Sequence, residues 1–202
     1  MAITINGTGS ITGLTAGGLP DGSVTSADLA AGAITSGALP AGSILQVVQT
    51  VKRDVTSTTA TSYEDISGMS RTITPVAADS NILVQAMVTL GADGTYAANS
   101  YIQLVRGSTA IFSGTETGRI QTTISMMAYG TGSGADFHYS TLTEPITFLD
   151  DPTYTLGDEL TYKLQWADSS SSSTLYLNRS AASDNSARPS AVSSIILMEV
   201  AA

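Results

Sequence analysis

The chain has 202 residues, of which 42% are hydrophobic and only 12% charged, about half the usual charged share. Acidic residues outnumber basic ones 17 to 8, for a net charge of -9, and the basic residues are scattered, which excludes the clustered charge that binds nucleic-acid phosphates or anionic membrane surfaces. There is no cysteine, so disulfides and thiolate metal sites are excluded, and no apolar run reaches the length of about 18 residues that spans a bilayer.

The N-terminus, Met1-Ala-Ile-Thr-Ile-Asn-Gly7, lacks the basic and apolar regions of a secretory signal. The chain is therefore expected to be made in a cytoplasm and to keep its own start. Residues 1–43 carry a ten-residue repeat. Gly22-Ser-Val-Thr-Ser-Ala-Asp-Leu-Ala-Ala31 runs directly into Gly32-Ala-Ile-Thr-Ser-Gly-Ala-Leu-Pro-Ala41, and Gly42-Ser-Ile44 opens a third copy. In register, the third position holds Leu14, Val24, Ile34 and Ile44, and the eighth holds Leu19, Leu29 and Leu39. Fixed-period repeats signal stacked architectures. With so little apolar area, one unit cannot offset the entropy of its own ordering. Copies from sister chains would complete it, so these seven residues are the predicted packing positions of a trimeric stem. Ser26 to Ala31 has the character of one helical turn stopped at Gly32.

From residue 44 to 202 the texture is that of short strands. Ser43–Val51, Met69–Thr74 and Asn81–Leu90 come first. Ser100–Arg106 and Thr109–Phe112 follow, joined by a Gly107-Ser108 hairpin turn. Ile120–Ala128, Phe137–Leu142, Ile146–Leu149, Glu159–Trp166, Thr174–Leu177 and Ser194–Val200 complete the set. No segment keeps a 3.6-residue apolar period. The expected fold is all-β: an extended repeat stem or docking arm over 1–43, then an antiparallel β-sandwich, jelly-roll-like, over 44–202. Met87, Met126, Met127 and Met198 read as core filling.

The run Thr4-Ile-Asn-Gly-Thr-Gly-Ser-Ile-Thr-Gly-Leu14, followed by Gly22 to Leu29, resembles the N-terminal segments of bacteriophage virion proteins, notably fibre-like proteins of marine phages. Leu39-Pro-Ala-Gly-Ser-Ile-Leu-Gln-Val-Val-Gln-Thr-Val51, Thr56 to Ile66, Thr72-Ile-Thr-Pro75 and Ser80-Asn-Ile-Leu-Val84 extend that resemblance over roughly residues 4–84. More distantly, Leu156-Gly-Asp-Glu-Leu-Thr-Tyr-Lys-Leu164 and Ser193-Ser-Ile-Ile-Leu-Met-Glu199 are similar to the trimeric jelly rolls of the C1q and TNF type, although aromatic residues are fewer here. The resemblance implies a homotrimer in a virion, made in the host cytoplasm. Its partners would be other phage virion proteins of the tail or capsid, with a host surface glycan or protein as a further partner.

Catalytic signals are sparse. His138 is the only histidine, and alternation in Asp136-Phe-His-Tyr139 sets it opposite Phe137 and Tyr139, as a surface or interface residue rather than a triad base. Asp150, Asp151, Asp158 and Glu159 offer carboxylates for calcium, which takes six to eight oxygens, or for glycoside cleavage, but match no known loop spacing. Gly130-Thr-Gly-Ser-Gly134 lacks the lysine of a phosphate loop. Tyr96, Tyr129 and Arg179, in the expected loops, are the candidates for surface binding. No catalytic residue, cofactor or metal is assigned. The expected function is a non-enzymatic short fibre or spike on a phage particle. A capsid decoration protein, a C1q-like lectin and a glycan-degrading spike stand as alternatives.

Overall fold

The computed structural model describes residues 24–93, 98–128, 140–169, 171, 173–182 and 188–202. Among these, the strands are β1 (Ile44–Lys52), β2 (Thr56–Thr58), β3 (Glu64–Ile73), β4 (Asn81–Asp93), β5 (Ala98–Arg106), β6 (Thr109–Ile111), β7 (Ile124–Ala128), β8 (Leu142–Asp150), β9 (Leu160–Asp168), β10 (Thr174–Leu177) and β11 (Ser193–Val200). No described helix is long and apolar enough to cross a membrane. The strands form two antiparallel sheets, consistent with a β-sandwich.

The first sheet is organised around β4. Residues 82–90 of β4 pair with β8 on one side. On the other side β11 takes residues 81–87 and β10 takes residues 90–93. Strands β1 and β2 then extend β11 and β10 respectively. The second sheet runs β3-β9-β5-β6, with β7 also on β5. Strand alternation places Ile82, Val84, Ala86, Val88 and Leu90 of β4 in one core with Ile102 and Leu104 of β5 and Tyr162, Leu164 and Trp166 of β9.

Polar clamps close the sandwich. Along one side, Thr50 Oγ1 donates to Ser70 O (2.9 Å) and Gln46 Nε2 to Thr74 O (2.7 Å), tying β1 to β3. The fully buried Glu199 accepts from Gln46 Nε2 (2.6 Å) and from the backbone N–H groups of Val76 and Ala77. A buried carboxylate is tolerable only when its oxygens are met by such donors. Along the other side, Arg106 of β5 and Tyr162 of β9 both donate to Asp150 at the end of β8, and Phe112 stacks on Phe148 with ring centroids 4.7 Å apart.

The outer faces of the two sheets differ in chemistry. On the second sheet, Lys163 Nζ and Gln165 Nε2 donate to Asp65 at 2.8 and 2.7 Å, and the hydroxyls of Thr72 and Thr161 meet at 2.8 Å. On the first sheet, cross-strand register aligns Val47, Met198, Leu83 and Leu149 in one row over β1, β11, β4 and β8. Four positions along, it aligns Val51, Ser194, Met87 and Pro145. Beyond that row the face is covered. Gly91 lies opposite Leu90 and Ala92 in the alternation, and the backbone of Arg179 and Ser180 sits directly on it.

The sequence expectations hold for the fold class and depart in detail. Strand β2 is not foreseen, because Thr56-Ser-Thr58 has no apolar signal. Strand β8 starts at Leu142 rather than Ile146, running through Pro145. Proline is tolerated there because, among the described residues, β8 pairs with β4 alone and stands at the edge of the sheet. Strand β7 starts at Ile124 rather than Ile120. Of the expected strand at Phe137–Leu142, residues 137–139 lie outside the described residues and Leu142 opens β8. Met126 is buried, but Met87 is 39% exposed and, with Met198, on the outer face of the first sheet, so these two do not fill the core. The side chain of Met127 lies outside the described set.

Candidate functional site

The ten-residue sequence period is also a structural period. Ser26–Asp28 and Ser36–Ala38 form single 3-10 turns ten residues apart. Each is closed by the carbonyl of the preceding threonine: Asp28 N–H donates to Thr25 O and Ala38 N–H to Thr35 O, both at 3.0 Å. In the first unit Thr25 N–H and Oγ1–H also donate to the Asp28 carboxylate, at 2.8 and 2.7 Å. Tight turns then follow at Gly32 and Gly42, with φ of 78° and 83°, a conformation that costs glycine little and other residues more. The expected helical turn is therefore a 3-10 turn of three residues, ended before Gly32.

The repeat joins the sandwich firmly. Gly42 N–H donates to Ala201 O (2.8 Å) and Ala201 N–H to Ser43 O (2.9 Å). Along it the apolar positions stand outward: Val24 is 52% exposed, Leu29 45%, Ile34 57%, Leu39 39% and Ile44 55%. Five regularly spaced aliphatic side chains left this open form a surface that is favourable to cover. Leu14 and Leu19, the earlier positions of the same register, lie outside the described residues.

The remaining candidates fall differently. Tyr96 and Tyr129 lie outside the described residues, as does His138. Arg179 forms a bridge with Ser190, and its guanidinium carbon sits 4.2 Å from the centre of the Tyr176 ring. It thus makes a cation–π contact within the chain. The four carboxylates weighed for calcium are not brought together. Asp150 is buried with Arg106 and Tyr162, and burial, then the Asp150 bond, pushes the Tyr162 phenol far above its ordinary range. Asp158 instead accepts from Thr155 N–H (2.9 Å) in a local turn. Among the described residues no three His, Cys, Asp or Glu side chains are placed to hold a metal ion. A small cleft at the end of the sandwich is lined by Leu90, Gly91, Ala92, Ser100, Met126, Ser140 and Leu142, and none of those side chains is ionised near neutral pH.

The polar outer face of the second sheet makes a prediction about pH. The Lys163 ammonium, then the Gln165 amide, holds the Asp65 carboxyl below the usual carboxylate range. A depressed folded-state value contributes stability above the ordinary Asp value and loses it as pH falls through the folded one. The carboxylate is 55% exposed, so the contribution is small. Carbon-detected titration should find Asp65 below an ordinary aspartate, and Lys163→Met should move it upward. An unchanged titration in that variant would remove the assigned cause.

No protein-family model matches the chain, and no curated protein matches it.

Proposed function

We propose that this chain is a non-enzymatic structural protein of a phage particle, a trimeric short fibre or spike. In this reading the N-terminal repeats wind with those of two sister chains and dock on the virion. The jelly-roll-like head faces outward, toward the host surface. The observation that carries the proposal is the ladder of Val24, Leu29, Ile34, Leu39 and Ile44, exposed at a ten-residue structural period. Isolated, each unit buries nothing; three copies side by side stack these positions in layers, and the Gly, Ala and Ser residues between them allow close approach. The resemblance of residues 4–84 to phage fibre-like proteins supplies the particle, and the -9 net charge fits a surface role without nucleic acid.

Sedimentation with light scattering tests it. The full chain should run at three times its 20.7 kDa mass. Leu29→Asp with Leu39→Asp places two charges per chain at the layer positions and should abolish the trimer and any attachment to particles. Both sites are exposed, so the head should melt unchanged. A monomeric parent chain, or a double variant that assembles and docks normally, overturns the stem. Turnover of host capsular polysaccharide by the purified chain overturns the non-enzymatic assignment.

A further inference from the structure

The outer face of the first sheet carries two largely apolar rows on either side of a row of Gln49, Ile196, Gln85 and Thr147. Its exposed aliphatic residues, Val47 (55%), Leu149 (52%), Met87 (39%) and Val51 (37%), belong to four-strand rows that also hold Leu83 and Met198. Strand β11 carries apolar side chains on both faces: Ile195 and Leu197 lie in the core, Ile196 and Met198 outside. Continuous rather than alternating apolar runs are the pattern of strands covered on both sides. The second sheet, by contrast, faces outward with hydrogen-bonded Asp, Lys, Gln and Thr.

We infer that this face is where the heads of further copies of the same chain meet. The inference rests on the trimer proposed above and assigns it a second contact surface. Two observations select a like copy as the occupant. From the Val47 row to the Val51 row the face carries no ionisable side chain. Chains of net charge -9 repel through most of their surface and can approach most closely through an uncharged patch. A basic partner would instead be met by acidic residues here, and an anionic membrane by basic ones. The second observation is continuity. Ile44 is both the third position of the repeat and the first residue of β1, paired with Val200 on this same face. The apolar ladder of the repeat therefore leads directly onto Val47 and, past Gln49, onto Val51 of the same face, and copies joined along it bring these faces together.

Magnitude fixes the role of the face. Four strands at about 4.8 Å spacing and five residues at about 3.4 Å rise give a patch of about 300 Å². Stable interfaces bury about 1,200 Å² or more in total. The face thus adds to an association that the repeats nucleate and does not hold the heads together alone.

The test uses the full chain with Val47→Glu and Leu149→Glu, two half-exposed positions that can hold a carboxylate without unfolding the head. Equal thermal midpoints check this. The double variant should dissociate at concentrations about tenfold or more above the parent. Peroxide oxidation of Met87, followed by peptide mass spectrometry, supplies a readout that needs no substitution on the face. Met87 should be protected in the assembled parent and lose that protection in the Leu29→Asp, Leu39→Asp chain. If the face variant assembles like the parent, or Met87 oxidises equally fast in assembled and dissociated chains, the inference fails while the repeat-driven trimer stands. Protection that persists in the dissociated chain means that the chain covers its own face, and also overturns it. A parent chain that is monomeric throughout overturns both proposals.

Discussion

Trp166→Ala is expected to destabilise the sandwich by about 4 kcal/mol. Trp166 is among the largest fully buried side chains, 2% exposed on β9, between Glu64 of β3 and Ile102 of β5. Its indole N–H also donates to Glu64 Oε1 at 3.3 Å. Alanine removes the ring and leaves a cavity between two sheets whose strands are held by their ladders; the Glu64 carboxylate is exposed and turns to water. Collapse of the cavity is restricted on the β5 side, because β5 is held by β6 and β7 as well as by β9. With a urea slope of about 2 kcal/mol per molar, the midpoint should fall by about 2 M. Trp166 is the single tryptophan, so far-ultraviolet circular dichroism must follow the transition. Trp166→Phe keeps most of the apolar volume and should cost much less. A midpoint unmoved by the alanine change would mean that the core lies elsewhere.

Gly91→Ala should cost about 3 kcal/mol although it adds a single methyl. A Cβ at Gly91 would lie 2.3 Å from Arg179 O and 2.9 Å from Ser180 Cα. Both are backbone atoms, so no side-chain rotation relieves the clash. The segment cannot retreat either. Asn178 N–H donates to Thr89 O (2.8 Å), and Asn178 Nδ2 donates to the carbonyls of Lys52 and Asp54. Its Oδ1 accepts from Ser193 Oγ (2.7 Å). The strain must therefore push on β4 and β10 where they pair, shifting Arg179 from the Tyr176 ring. Urea unfolding of the variant measures the cost; a loss below about 0.5 kcal/mol would show that the 179–180 backbone does not rest on the sheet.

How much of this was legible in advance follows from the range of each interaction. Alternation along Glu159–Trp166 announces a strand with one buried face, and Tyr162, Leu164 and Trp166 are buried on β9; the apolar run Asn81–Leu90 announces a core strand, and it is the centre of the first sheet. Gly107-Ser108 forms the expected two-residue connection between Arg106 and Thr109. The repeat is legible because its turns are closed by bonds within four residues. Thr56–Thr58 was not, because a short polar strand exists only through its neighbour β10. Met87 and Met198 were misread because composition marks them as apolar without saying which face they take. The stacking of Arg179 on Tyr176 and its bridge to Ser190 depend on how the chain folds back after β10, which no local pattern announces.

The all-β character, the strand-rich region after residue 43 and the ten-residue period of the N-terminal segment are written in the sequence. These are local properties, written in the period of side chains and the preferences of glycine and threonine. That Asp150 is held by Arg106 and Tyr162, apart from Asp158, follows from the packing of β5, β8 and β9. Strand pairing likewise sets which sheet turns hydrogen-bonded Asp, Lys, Gln and Thr outward and which an uncharged face with two apolar rows. Both outcomes depend on which strands become neighbours. Strand pairing joins residues more than a hundred positions apart, such as Val47 and Met198, and no local pattern in a single segment records its partner.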